Sequence, residues 1–175
     1  MKKVTKESIS ELFTNWCGED VKEIKALPES GSYRKYFRVF GNSKSAIAVY
    51  NEDRKENVAF LEFSKHFSLK NLPVPEIFAE NLSENIYLQE DLGDTTLFAY
   101  ITEKRPGVEF TDELTNIIKK VLDQLVKFQV LGAADFDYGY CYPRAAFDKQ
   151  SMMWDLTILS TIFLNWLKFL LMNKI

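Results

Sequence analysis

The sequence predicts an α+β fold: a five-stranded antiparallel sheet with one helix inserted into it, followed by further helices. Three observations carry this. The apolar runs Val21–Leu27, Tyr33–Phe40 and Ser45–Tyr50 are separated by the turn signals Ser30-Gly31-Ser32 and Gly41-Asn42-Ser43, and such punctuation marks consecutive hairpin strands. A stretch with helical spacing, Lys55 to Leu69, comes next and is followed by two more strand runs, Ile77–Ala79 and Ile86–Gln89. From Thr111 onward, Leu114, Ile117, Ile118, Val121, Leu122, Leu125 and Phe128 recur at the period of one helix face.

Taken in order, the chain opens with a helix capped by Thr5 or Ser8, with Ile9, Leu12, Phe13 and Trp16 on one face and Gly18 as its stop. On the second strand the period of two puts Tyr33, Phe37 and Val39 on one face and Arg34, Tyr36 and Arg38 on the other. Ser45–Tyr50 is apolar enough to be a central strand. Asn51-Glu52-Asp53 ends it. In the helix that follows, Val58, Leu61, Phe63 and Phe67 supply the apolar positions, and Glu56, Glu62 and Lys65 a polar face. Pro73 and Pro75 force an extended connection. Gly93 permits a sharp change of direction, Thr95 or Thr96 caps a short helix through Ile101, and Thr111-Asp112-Glu113 opens the long one. Asp135 to Pro143 reads as an aromatic connecting loop, and Phe147-Asp148 begins another helix. Leu156 to Leu171 is apolar on all sides but broken by Ser160, Asn165 and Lys168; it falls short of the ~20 apolar residues that span a bilayer.

The chain has 175 residues, 46% of them hydrophobic and 14 of them Phe, which excludes global disorder. A net charge of −3 excludes a broad nucleic-acid surface. Cys17 and Cys141 lie far apart and in no metal-ligand spacing, and Met1 to Thr5 carries no apolar run. The expectation is free thiols in a reducing cytoplasm.

Chemistry concentrates around the first turn. A Ser30-Gly31-Ser32 turn can bring backbone N–H groups close to an anion. Arg34 and Arg38, on one strand face just beyond it, have the forked donors that suit phosphate oxygens. The plain alternative is an ordinary hairpin with a basic outer face.

The order of these pieces resembles the amino-terminal lobe of the aminoglycoside phosphotransferase and choline kinase-like family, which is built like the protein kinases. Ser30-Gly31-Ser32-Tyr33-Arg34-Lys35-Tyr36-Phe37-Arg38-Val39 looks like the family's phosphate loop and second strand, and is most similar to the branch that phosphorylates bacterial cell-wall amino sugars. Lys55-Glu56-Asn57-Val58-Ala59-Phe60 is similar to the start of the lobe's single helix, and Tyr87-Leu88-Gln89-Glu90-Asp91-Leu92-Gly93-Asp94 to the hinge between lobes. The resemblance implies a kinase-like lobe over 1–92, the first helices of an incomplete second lobe over 93–155, and an apolar tail over 156–175. It implies a nucleotide, ATP or GTP with Mg2+, held by Ser30, Gly31, Ser32, Arg34 and Arg38 and by the hinge residues Gln89, Glu90, Asp91 and Leu92. A sugar or amino sugar would be the acceptor in a full-length relative.

Two departures follow. Where such kinases place a lysine on the third strand, Ile47-Ala48-Val49-Tyr50 ends in tyrosine. Arg34 or Arg38 would supply the charge, with Glu56 either its ion-pair partner or a solvated carboxylate. The family's late His-x-Asp-x-x-x-x-Asn loop, which orients the acceptor and helps hold magnesium, has no counterpart, because the one histidine, His66, is followed by Phe67 and Ser68. Asp135, Asp137, Asp148 and Asp155 stand outside any such motif. The expectation is a lobe inactive on its own, without magnesium ligands. One codon choice for Thr157 to Asn173, read in another frame, gives a basic aromatic string closer to the family's continuation, so a frameshift near Leu156 is expected. The rival readings are a regulatory module docking through the Leu114–Phe128 stripe, and a membrane anchor at Leu156–Leu171, which Asn165 opposes.

Overall fold

The computed structural model describes residues 6–28, 31, 33–105, 107 and 111–172. The chain divides into two compact units, Met1–Tyr140 and Cys141–Ile175. The first holds α1 (Lys6–Cys17), β1 (Glu23–Ala26), β2 (Lys35–Phe40), β3 (Ser45–Tyr50), α2 (Arg54–Leu69), β4 (Ile77–Asn81), β5 (Ile86–Gln89), α3 (Leu97–Lys104), α4 (Asp112–Val130) and a 3-10 turn at Tyr138–Tyr140. The second holds α5 (Lys149–Met172). The fold is α+β, with one five-stranded, wholly antiparallel sheet in the order β1-β2-β3-β5-β4. Helix α2 is the connection that carries the chain from central β3 to edge β4.

Side-chain alternation splits the core into two layers. Val39, Ala46, Ala48, Ile86 and Leu88 face α1, whose Ile9 and Phe13 are fully buried against them. Ile47, Val49 and Tyr87 face the other way, toward Leu61 and Phe60 of α2. The second face is the one that carries Tyr36 and, by the same period of two, Arg38 and Gln89.

Several boundaries differ from expectation. Helix α1 already contains Ser8, so Ser8 is no cap, and Thr5 lies outside the described residues. Strand β1 is shorter than Val21–Leu27, and β2 starts at Lys35 because Tyr33 is 97% exposed and has no sheet neighbour to pack on. Gly18 does end α1, at φ 74°, donating to Thr14 O at 2.8 Å. Helix α3 is capped by Thr96 and runs past Ile101 to Lys104. On α2 the buried residues are Asn57, Ala59, Leu61 and Ser64, not the expected Phe63 and Phe67. Those two serve a separate contact, where Phe63 stacks on Phe136 and Phe67 meets Phe128 edge-on. A helix covered on two sides shows no single stripe. The apolar stretch after Leu156 continues the helix begun at Lys149, whose first turn is capped by Asp148 accepting from Ser151 N at 2.9 Å. Among the described residues, no helix is long and apolar enough to cross a membrane.

The β2–β3 turn is closed from outside the hairpin. The Glu19 carboxylate accepts from Asn42 N at 2.5 Å, Ser43 N at 2.9 Å and Lys44 N at 3.3 Å, and from the Ser43 hydroxyl. These donors, the Ser43 hydroxyl foremost, hold its pKa down to about 2 from 4.5. A carboxyl depressed in the folded state adds stability that is complete above about 4.5 and is lost as the pH falls toward about 2. Glu19→Gln should therefore lower the melting temperature at neutral pH, with the gap from wild type narrowing through this window. Thermal melts at several pH values check this; a gap that persists unchanged at pH 2 sinks it.

A polar candidate site on the alpha2 face of the sheet

The candidate site lies on the α2 face of the sheet and runs along β5, with Arg34 and Asn51 beside the row of Ile86 where β5 begins and Arg38 in the row of Gln89 where it exits. Two arginines organise it. Arg34 stands just before β2, its side chain only 15% exposed, with Nη2 2.9 Å from Glu56 Oε1. Its guanidinium carbon is 5.2 Å from the centre of the Phe60 ring. Of the two expected partners for Glu56, Arg34 is the one that meets it.

Glu56 is held in place by local chemistry. Asp53 caps α2, accepting from Lys55 N at 3.0 Å and Glu56 N at 3.2 Å. Asn51, 2% exposed, donates its Nδ2 to Glu56 Oε2 at 2.6 Å. Its side-chain oxygen accepts from Asp53 N at 3.1 Å, and its carbonyl from Asn57 Nδ2 at 2.8 Å. The Glu56 carboxylate thus spans Arg34 and Asn51. Sequence reasoning treated Asn51-Glu52-Asp53 only as the end of a strand. The signal present was two short polar side chains in the turn before a helix, the residues that bind backbone N–H groups there.

Arg38 meets a different fate. Its Nε lies 2.6 Å from Asp91 Oδ2 and its Nη2 donates to Asp91 Oδ1 at 3.0 Å. The same guanidinium donates to both oxygens of Asp94, at 3.1 and 2.9 Å. Its charge and hydrogen bonds hold the Asp94 carboxyl below the usual carboxylate range, and the two acids push the guanidinium's pKa up. Between the acids, Gly93 takes φ 78° and donates to Asp91 Oδ1 at 3.0 Å. Arg38 therefore clamps the segment leaving β5 to β2, two strands away in the sheet. That segment is tied to β4 as well, with Glu90 N donating to Glu76 O at 2.8 Å and Glu76 N to Glu90 Oε2 at 3.2 Å.

The remaining expected residues are more dispersed. Gly31 is exposed, and a Cβ built there would meet no atom within 4 Å; Ser30 and Ser32 lie outside the described residues. Leu92 is 68% exposed. Tyr50, where a lysine was looked for, places its hydroxyl 3.4 Å from Glu52. His66 puts Nε2 2.9 Å from Gly132 O and packs its ring on Phe136, far along α2 from Glu56.

Two polar atoms of β5 complete the site. The Tyr87 hydroxyl and Gln89 Oε1 are buried and have no hydrogen-bond partner among the described residues. Burial also pushes the Tyr87 phenol's pKa up. Among the described residues, no group of His, Cys, Asp and Glu side chains is arranged to hold a metal ion.

Comparison with models of known protein families, with curated proteins and with solved structures found no match to this chain.

Proposed function

We propose that this chain is the nucleotide-binding lobe of a protein-kinase-like phosphotransferase, of the aminoglycoside phosphotransferase and choline kinase-like kind, joined to helices of a second lobe, and that alone it binds nucleotide without transferring phosphate. The observation that carries the reading is the Arg34–Glu56 pair seated on Asn51. A cation above the inner sheet face, oriented by a carboxylate on the one helix inserted between β3 and β4, is what a lobe of this kind needs to position a triphosphate. Here an arginine before β2 does the work of a lysine on β3.

The supporting features are the strand order, the open space around Gly31, and the clamped exit of β5, whose backbone would meet a base. In this reading Arg38 shapes the hinge instead of touching phosphate. ATP or GTP would enter with Mg2+. The sequence has a single histidine, on α2, and so lacks the His-x-Asp-x-x-x-x-Asn segment that would orient an acceptor hydroxyl and help hold the metal. A sugar or amino sugar as acceptor belongs to a protein that has that segment.

Calorimetric titration of the purified chain with Mg-ATP and Mg-GTP tests the first half. Saturable binding of either supports the lobe, and the absence of both removes it. Incubation with γ-labelled ATP and amino sugars tests the second half, since measurable label transfer would overturn the claim of inactivity.

A further inference from the structure

We propose that the outer edge of β4 is a docking site for a short basic peptide in extended conformation, which adds to the sheet as a further strand and sets one aliphatic side chain into the cleft between α2 and β4. This site is separate from the one read above as nucleotide-binding.

The sheet order ends at β4, and among the described residues no strand lies on its outer side. A sheet edge presents unpaired backbone N–H and C=O groups, which an added strand satisfies. A cavity of about 450 Å³ lies where the last turns of α2 pass over the start of this strand. Leu69, Pro75 and Ile77 give it an aliphatic wall, and Ser64 and Ser68, one helical turn apart, a polar one. Ser64 is 5% exposed and Leu69 81%, so the cavity reaches from the interior to the surface. Side chains of an added strand project alternately to the two faces of the sheet. One of them therefore falls on the α2 face beside Ile77, which packs toward that helix and lines the cavity.

Charge selects the occupant. Glu76 lines the cavity, and Glu80 is exposed on β4. Lys65 Nζ lies 3.1 Å from Glu62 and 3.2 Å from Glu80, so one ammonium answers three carboxylates. The next lysine on this side, Lys70, is engaged by Asp135 at 3.2 Å. The edge is therefore acidic. A second copy of the chain, paired edge to edge, would set these acids against one another, which is unfavourable. Lysines or arginines flanking an aliphatic residue meet complementary charge instead.

The test titrates the full chain into a fluorescently labelled peptide of alternating lysine and valine with a central leucine, followed by anisotropy. Saturable binding that weakens with added salt is expected. Three changes should each weaken it by about tenfold or more, the effect of one net hydrogen bond or its equivalent. The first replaces the peptide's lysines by glutamates. The second methylates its backbone nitrogens at alternate residues, which removes strand hydrogen bonds and keeps the charge. The third is Leu69→Lys in the protein, at a position exposed enough to spare the fold. Absence of saturable binding overturns the proposal. Binding that the methylated peptide or Leu69→Lys leaves unchanged overturns it too, since charge would then act without the edge or the cavity. Sedimentation velocity adds a further outcome: a dimer that the peptide does not dissociate assigns the edge to a second copy, against the proposal. No nucleotide enters these measurements, so their failure is distinct from failure of the nucleotide-binding reading.

Discussion

Phe13→Ala should cost about 3–5 kcal/mol of folding stability, a large share of the 5–15 kcal/mol typical of a whole domain. The ring is fully buried on α1, beneath the face of the sheet opposite the candidate site. Ala46 and Ala48 line that face on β3, small enough for the helix to seat closely. Phe13 also meets Trp16 edge-on at 5.5 Å, and Trp16 stacks on Phe78 of β4 at 4.3 Å. Truncation therefore opens a cavity and loosens the link from α1 to the edge strand. Urea unfolding followed by far-ultraviolet circular dichroism measures the loss, and a drop below about 1 kcal/mol would mean that α1 is not part of the core. The consequence for the site is indirect. Arg34, Tyr87 and Gln89 stand on the other face of the same sheet, so nucleotide binding should decline in proportion to the folded fraction and no faster.

The sheet was readable from the sequence where one residue's environment repeats on its neighbours. Ser45–Tyr50 and Ile86–Gln89 emerge with the expected ends, because both are central strands with apolar side chains on two faces. The register faces of β2 were readable too: Val39 turns to α1 and Tyr36 to α2, as a period of two requires. The site was legible only in part. The pairing of Glu56 with an arginine could be anticipated, but whether Arg34 or Arg38 met it could not, since both share a strand face. The choice is made by the β2–β3 register, which sets Lys35 opposite Tyr50 and so Arg34 beside Asn51 and the start of α2, while Arg38 lies opposite Ile47 and is held by Asp91 and Asp94, more than fifty positions along the chain. The apolar stripe of α4 was readable as a helix face but not by its covering: only Leu114 is buried, while Val121, Leu122, Leu125 and Val126 are exposed. A groove of about 390 Å³ runs beside Ile117, Val121, Leu125 and Phe128. Helical periodicity establishes that a face is apolar and says nothing of what lies against it.

Arg34→Ala should weaken Mg-nucleotide binding by about ten- to a hundredfold, the range for losing a hydrogen bond to a charged group. Two effects act together. A phosphate loses its cation, and Glu56, still held by Asn51, becomes an uncompensated negative charge beside it. Stability should change little, by about 1 kcal/mol or less, because Glu56 is 43% exposed and solvent screens the pair. The two readouts separate a ligand-holding arginine from a structural one. Exchanging the charges, Arg34→Glu with Glu56→Arg, sharpens the distinction, since the ion pair can re-form while the cation moves from the strand side to the helix. If Arg34 serves the phosphates, the exchanged protein should melt near the wild-type temperature and still bind nucleotide poorly. Recovery of both properties would show that any pair suffices and that Arg34 has no place of its own in the site. Undiminished binding by Arg34→Ala would be more damaging. With Arg38 already committed to Asp91 and Asp94, it would leave the site without the cation on which the functional reading depends.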